Sequence, residues 1–577
     1  MGLFFSFIFN KMYIFIRKNQ VILIALVVNI FYLTICFLFE KKNYFGSIDD
    51  YFMARTLEGV FGEGRNVHLT FVNVLYGYFL LPFYYVFPKI GWYYIGEIAE
   101  VFISFTIVSV ILIKKMGSYW GTVFSLLFVL FFARDFYTTA QFTLCASILG
   151  GAGMLLLTQT INIERFSITM YIGAGFLVLF AIFMRVDALL MGVPFFVCAL
   201  LVQMKKSFQK KWVLIFFLSV MFVVFYGVEQ FNHEHYASPE YRKYVSFQAP
   251  RVALGDKINY DKEFVCDELE EENFSCENLK LLNNWIFYDT KFFSIDTLQH
   301  VAKKIHKYSY AIEWFAMPRS ILNWLDRSVT KPGFWAFFVF CLILMLSRGG
   351  KSCYVWGSLF VMLSLMSYLL YMQRIVYRVE AGLWLYATAL SIPFIGKLPP
   401  LSKGMFKVIV FVIVFATLTI FVCCGSYIRS VNNGRLVDGS RQIELLGPRY
   451  KGLLDYIDSS SDNNVFFADM ISYMSISQYK GAPYLSESLG SWKKIAPLGF
   501  WTPYFPDIEK NLHDVGIFNP IRDIVKDNVF VINESHLVDF LQVHYYDRVK
   551  VDTIKEFGNI KILKYSEVNL SHKEKND

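Results

Sequence analysis

Residues 70–88 read Thr70-Phe-Val-Asn-Val-Leu-Tyr-Gly-Tyr-Phe-Leu-Leu-Pro-Phe-Tyr-Tyr-Val-Phe-Pro88. Whether this apolar run crosses a membrane decides the direction of everything after it. Fifty-five per cent of the 577 residues are hydrophobic and 60 are Phe. A soluble fold could not cover that much apolar surface, so the chain reads as a polytopic membrane protein. Further apolar spans lie at roughly 19–39, 93–113, 118–133, 138–160, 168–184, 187–203, 211–229, 333–348, 353–372, 378–396 and 405–424. If these alternate, Lys11/Arg17/Lys18, Lys114/Lys115, Lys205 to Lys211, Arg348/Lys351 and Lys397/Lys403 fall on one side, expected to be the cytoplasm. That holds only if 70–88 does not cross. Its Pro bounds and aromatic content fit a helix lying in the interface. The alternative is that it crosses and a later span does not.

The first span looks uncleaved, because Lys11, Arg17 and Lys18 precede a long apolar stretch. The formal charge of +8 sits in short runs between spans and does not point to nucleic acid. The expected architecture is about 11 transmembrane helices (residues 1–424) and a small extracytoplasmic α/β domain (425–577). Outer loops are expected at 40–92, with interfacial helices, and at 230–332. In the C-terminal part, Asn464 to Asp469 and Asp527 to Asn533 read as buried strands. Leu537 to Tyr546 reads as a helix and Ile560 to Tyr565 as an edge strand. Cys266 and Cys276 fall in an outer polar stretch and could form a disulfide there. The other seven Cys read as packing residues.

The polar residues of the outer side carry the functional reading. Asp49 and Asp50 follow the first span in Gly46-Ser-Ile-Asp-Asp-Tyr-Phe-Met-Ala54. A paired carboxylate at the membrane border is a natural general base or metal contact. It could equally be the cap of a helix. Arg134 and Asp135 open another outer turn, where the bland reading is a local pair. Arg185, Arg374 and Arg378 come out on the same face, and Arg185 and Arg378 could instead snorkel. The long loop adds Arg251, Trp285 and Asp289, and the first loop adds His68. Carboxylates and guanidiniums converging beside lipid suit one task well. Arginine holds a carrier phosphate, and a carboxylate deprotonates an acceptor hydroxyl.

In order and placement the chain resembles the GT-C glycosyltransferases, polytopic enzymes that use polyprenyl-phosphate-linked sugars. The carriers of the resemblance are Ser47-Ile-Asp-Asp-Tyr51, His68, the run Tyr76 to Pro88, Trp92-Tyr-Tyr94 and Arg134-Asp135. It looks in particular like a group of uncharacterised bacterial GT-C-like proteins. Their long-loop elements are matched by Arg251-Val-Ala-Leu-Gly-Asp256 and Trp285-Ile-Phe-Tyr-Asp289. Gly255-Asp256-Lys257 lacks the Tyr usual near that aspartate, which weakens a role for Asp256.

The resemblance implies transfer of a sugar from a polyprenyl-phosphate donor to a cell-envelope glycan or lipid-linked acceptor, at the outer face of a bacterial plasma membrane. It implies Asp49 or Asp50 as base and Asp135 as a second active-site carboxylate. Arg251, Arg185, Arg378 and Arg134 are candidates for the donor phosphate, and His68, Trp285 and Asp289 for substrate. Some relatives use a divalent cation such as Mg or Mn and others do not, so that cofactor stays open. The competing functions are a lipid-linked oligosaccharide flippase and a glycan polymerase or ligase. Charges at mid-span facing a channel would favour transport.

Overall fold

The structure, a computed structural model, describes residues 2–39, 44–162, 167–254, 266, 269, 274–305, 314–372, 374–424, 427–429, 436–480, 483–486, 490–534 and 536–568. Among the described residues eight helices are long and apolar enough to cross a membrane. They are the part of α1 (Gly2–Phe39) from Asn19, α4 (Trp92–Met116), α5 (Ser118–Thr138), α6 (Phe142–Asn162), α7 (Ile168–Val202), α9 (Lys211–Tyr236, after the short α8, Met204–Gln209), α15 (Cys353–Tyr371) and α17 (Lys403–Cys424). A ninth is the pair α13 (Met317–Ser328) and α14 (Pro332–Leu346), bent by 91°.

Helix α7 holds two of the expected spans in one 35-residue run. Drawn straight it would be about 52 Å long, well beyond a bilayer core. It is not straight, because Arg185 is extended at φ −168°, ψ 109°. The Lys206 ammonium donates to Asn162 Oδ1 at 3.3 Å, and Lys210 to the Thr160 carbonyl at 2.9 Å. The chain therefore returns to the face it left at Asn162, and α7 folds back at Arg185. The short α16 (Tyr377–Ala389), apart from Arg378 and Val379, and the turn Ile392–Phe394 after it are buried among these helices. Against the expected eleven or so, the described residues hold eight helices long and apolar enough to cross, nine with the bent pair; α7 carries two of the expected spans, and the expected span 378–396 falls on the 13-residue α16 and the turn after it.

The run 70–88 does not cross. It forms α3 (Val74–Val86), capped by Asn73, whose side chain accepts from the Leu75 amide. At the start of α3 the Asn73 amide donates to Phe183 next to the α7 break, and at its end Tyr84 accepts from the Tyr93 amide. Both ends of α3 thus lie on one face, here termed the loop face. Tyr78, Phe79, Phe83, Tyr85 and Val86 point outward, as an interfacial helix requires. At the far end of α4, Lys115 is within electrostatic reach of Lys206 and Lys351, so these basic groups share the opposite face.

Short strands stitch the loop face together. β1 (Tyr44–Phe45) pairs in parallel with β2 (Thr139–Ala140). α2 (Ile48–Glu58) follows and ends on Gly59, whose φ of +83° and close approach to the Gly64 backbone suit glycine. The long loop supplies α10 (Pro239–Val252), α11 (Cys276–Asn283) and α12 (Ile295–Ile305). Cys266 and Cys276 are bridged, with Cα atoms 5.2 Å apart.

After the small hairpin β3 (Tyr427–Arg429) and β4 (Leu436–Asp438) comes α18 (Gly439–Ser459) and a five-stranded sheet. Its strands are β5 (Val465–Ala468), β6 (Ile495–Pro497), β7 (Val529–Ile532), β8 (Val549–Phe557) and β9 (Ile560–Glu567), in spatial order β6-β5-β7-β9-β8. Helices α19 (Met470–Lys480), α20 (Gly490–Lys493), α21 (Pro506–Asp514) and α22 (Leu537–His544) connect them. The segment 560–565, expected at an edge, lies inside the sheet. The charged β8, with Lys550, Asp552, Lys555 and Glu556, covers it and takes the edge.

The sheet does not have a core to itself. One apolar cluster joins Ile48, Phe52, Val60 and Phe61 of the first loop to Tyr244, Phe247, Phe287 and Phe293 of the long loop. The same cluster continues into Phe467, Trp501, Phe505 and Val531 of the C-terminal part.

Candidate functional site

The site begins where the first helix leaves the bundle. Ser47 takes the N-cap position of α2 with extended backbone, and Asp49 and Asp50 occupy its first turn. Both the capping geometry and the helix dipole favour acidic residues there. Asp50 does more than cap. It is wholly buried and accepts three hydrogen bonds: from Ser47 Oγ at 2.7 Å, the Tyr93 hydroxyl at 3.2 Å and the Phe142 amide at 3.2 Å. It thereby ties α2 to the starts of α4 and α6. Burial pushes its carboxyl up to about 7 against the opposing bonds from Ser47 and Phe142, and the charge of Asp49 adds to the rise.

Asp49, half-buried, faces a different surrounding. Its charge reaches Arg185, and so do those of Asp187, Arg374 and Arg378. The break in α7 is what puts Arg185 there. Its Nη1 donates to Thr143 Oγ1 at 3.1 Å, and its guanidinium lies 5.1 Å from the centre of the Phe142 ring. Arg185, Asp187, Arg374, Arg378 and Thr143 line one cavity of about 450 Å³. The rest of its wall is largely apolar, with Leu190, Met191, Leu365 and Leu369 from α7 and α15. Leu190 and Tyr368 of this wall are more than half exposed at the bundle surface. The cavity therefore opens sideways between helices as well as toward the loop face.

Asp135 stands one contact behind the cavity. The Tyr377 hydroxyl donates to its carboxylate, and Tyr377 precedes Arg378. Arg134 points elsewhere, with its guanidinium 5.9 Å from the Phe421 ring of α17. Four other candidates lie in the joint between loops and sheet. Arg251 is almost wholly buried, donates to Gln248 Oε1 at 2.8 Å and lies 5.7 Å from the Trp285 ring centre. Trp285 has a positive φ of 61°, and its carbonyl accepts from the Phe500 amide. Asp289 caps the turn at Lys291 and Phe292 and accepts from the Tyr545 hydroxyl at 2.7 Å. His68 stacks on Tyr241 with ring centres 3.9 Å apart, and its Nδ1 donates to Asn66 Oδ1 at 2.7 Å. Burial pushes the His68 imidazole down to about 4, so it is neutral at neutral pH. Asp256 lies outside the described residues.

The structure thus sets Arg185 and Arg378 in the wall of one cavity, with Asp49 in electrostatic reach of Arg185, Asp50 buried against the start of α6 and Asp135 one contact behind. It sends Arg134, Arg251, His68, Trp285 and Asp289 to other contacts. Arg374, which the sequence places on the same face as Arg185 and Arg378, lines the cavity with them. The structure also adds two residues that the sequence did not single out. Glu97 and Glu100 lie three apart in an apolar span, the pattern of a functional intramembrane acid. Both are buried in α4 beside Tyr76, and Glu97 also adjoins Asp50. They do not line the cavity. Among the described residues no three His, Cys, Asp or Glu side chains group so as to hold a metal ion.

No family model and no curated protein sequence matches the chain. Among solved structures it is similar to ArnT from Cupriavidus metallidurans in the apo state, with a TM-score of 0.41 and 9% identity over 95% of this chain and 98% of that one. It is also similar to the same protein bound to undecaprenyl phosphate, with a TM-score of 0.40 and 10% identity over the same shares.

Proposed function

We propose that this chain is a membrane glycosyltransferase of the GT-C kind, moving a sugar from a polyprenyl-phosphate donor to a hydroxyl of a cell-envelope glycan or lipid-linked acceptor. One observation carries the reading. A laterally open, apolar-walled cavity has three guanidiniums at its loop-face end and Asp49 within electrostatic reach. An isoprenoid chain fits the apolar wall, and arginine suits its phosphate because the planar fork binds phosphate oxygens in pairs.

Asp49 is the base in this reading. It takes the proton of the acceptor hydroxyl as that oxygen attacks the anomeric carbon. The bond from that carbon to the phosphate oxygen breaks, and its electron pair leaves with the carrier as polyprenyl phosphate. The extra negative charge develops on the phosphate, where Arg185, Arg374 and Arg378 stabilise it without needing to supply a proton. A single displacement of this kind inverts the anomeric configuration. Asp50 keeps both oxygens on internal donors and fixes the first turn of α2, from which Asp49 projects.

Glu97 and Glu100 bear on the transport alternative. They are ionisable residues inside a span, but they are packed against Tyr76 and Tyr93 rather than facing a channel. That arrangement favours transfer over flipping.

The test is transfer from a radiolabelled polyprenyl-phosphate sugar extract in membranes containing the full chain. Asp49→Asn should lower transfer by about 10²-fold or more, the usual scale for a positioned base, at unchanged expression. Normal transfer by both Asp49→Asn and Asp50→Asn would remove the acidic pair from the chemistry and return it to a helix cap.

A further inference from the structure

The first turn of α16 is gripped from two sides by buried groups that the transfer step does not use. On one side the Tyr377 hydroxyl donates to Asp135 of α5. On the other, Glu380 is wholly buried and accepts from Lys331 Nζ, from Ser328 Oγ at 2.7 Å and from Trp384 Nε1 at 3.2 Å. Lys331 occupies the 91° elbow between α13 and α14. Its ammonium also lies 5.4 Å from the centre of the Tyr377 ring. The elbow is pressed onto α16, since a Cβ added at Gly333 would stand 3.0 Å from Trp384 Cβ. Trp384 in turn stacks on Trp324 of α13, 6.0 Å apart and nearly parallel. Between the two grips, at the one residue of the turn that lines the cavity with a charge, sits Arg378.

A buried ion pair rarely adds much net stability over an apolar pair of the same size. It does fix geometry, because neither partner has another low-energy place to go. Arg378 lies one residue after Tyr377 and two before Glu380, positions that do not share a helix face with either, so clamping Glu380 and Tyr377 sets the rotation of α16 and hence the heading of Arg378.

We propose that Lys331 and Glu380 are positioning residues that aim Arg378 at the carrier phosphate, through the elbow of α13 and α14. The proposal rests on the transfer reading. Arg378 heads into the cavity only while α16 is held at this rotation, so loss of the clamp weakens phosphate binding without touching the base.

The experiment measures binding of polyprenyl phosphate alone, without sugar, to the purified full chain in lipid nanodiscs, beside the thermal unfolding midpoint and transfer kinetics. Lys331→Met should lower the midpoint, because it leaves Glu380 buried without its cation. Lys331→Met with Glu380→Met should recover the midpoint yet bind polyprenyl phosphate about tenfold more weakly, with a raised KM and kcat within about threefold of wild type. Lys331→Arg should restore binding. A double substitution with wild-type midpoint and wild-type binding overturns the proposal. If the double substitution does not fold, Glu380→Gln decides, since it keeps an acceptor oxygen and the shape: weaker binding supports the clamp and unchanged binding overturns it. A wild-type chain that binds no polyprenyl phosphate removes the transfer reading and the clamp together. A wild-type chain that binds it while the clamp variants bind equally removes the clamp alone.

Discussion

At the scale of single residues, the acidic pair divides its labour by burial. Asp50 has a folded-state pKa of about 7 against an ordinary 3.8, so the fold holds its proton more tightly than the unfolded chain does. Between those two values the folded state binds the extra proton, and stability falls as pH rises through that window, then levels off above about 7. His68 works in the opposite sense. Its pKa is about 4 in the fold, so its contribution is lost as pH falls from the ordinary histidine value toward 4. The two effects overlap, so the comparison of wild type with Asp50→Asn isolates the first. Asp50→Asn should raise the unfolding midpoint at pH 8 and change it little at pH 4.5. An equal shift at both values would mean that Asp50 carries no pH-dependent cost.

Arg378→Lys keeps the charge and loses the planar fork. It should raise KM for the donor by roughly tenfold, with a smaller effect on kcat. An unchanged KM would take Arg378 off the phosphate. Asp49 and Asp50 stood out in the sequence because a charged pair at the membrane border is costly, although a helix cap accounts for it as well. Which of them comes within electrostatic reach of Arg185 was not legible, since they are adjacent in the chain and differ only in which way the first turn of α2 faces.

At the scale of elements, the break in α7 matters most. The sequence marks it only by Arg185 and Asp187 between two apolar runs. Its close packing depends on Gly192, where an added Cβ would lie 2.3 Å from the Tyr386 ring. Tyr386 is buried and its hydroxyl donates to the Ala188 carbonyl at 3.0 Å. Gly192→Ala should force Tyr386 off that bond, at a cost of about 1–3 kcal/mol typical of overpacking. The measurement is the unfolding midpoint of the variant in detergent. A midpoint within error of wild type would show that α16 can yield freely at that contact. The loop-face helix α3 was more legible than the break. Its Pro bounds, its aromatics and the charge alternation of the basic loops all point the same way.

At the scale of the whole molecule, the loops and the C-terminal sheet share one core. Trp501 packs edge-on against Phe52 of α2 and Phe71, with ring centres at 5.9 and 5.4 Å. Arg55 of α2 lies 3.7 Å over the Trp492 ring, and Asn66 donates to Asp507 at 2.6 Å. Cutting the chain after the last membrane helix would bare the apolar side of α2 and α10. A chain ending at residue 430 should therefore show its 230–332 loop cut by protease several-fold faster than the full chain in the same membranes. Equal cutting rates would mean that the loop is held without the sheet. Arg251, His68, Trp285 and Asp289 belong to this joint. Their polar chemistry marked them as candidates, but no local pattern says whether a loop side chain faces substrate or another loop.

The sequence by itself determined the membrane class and the placement of α3, because these follow from hydropathy length, proline bounds and the side on which lysines gather. Those signals are local and additive along the chain. The tertiary structure alone decided which charges meet. Arg185, Arg374 and Arg378 come from two separate helices and a loop, and Asp49 from a third helix. Their approach depends on the fold-back of α7 and the rotation of α16, which are set by packing between residues far apart in sequence. A guanidinium at a membrane border has the same local signature whether it faces a cavity, as Arg378 does, or an aromatic ring, as Arg134 does.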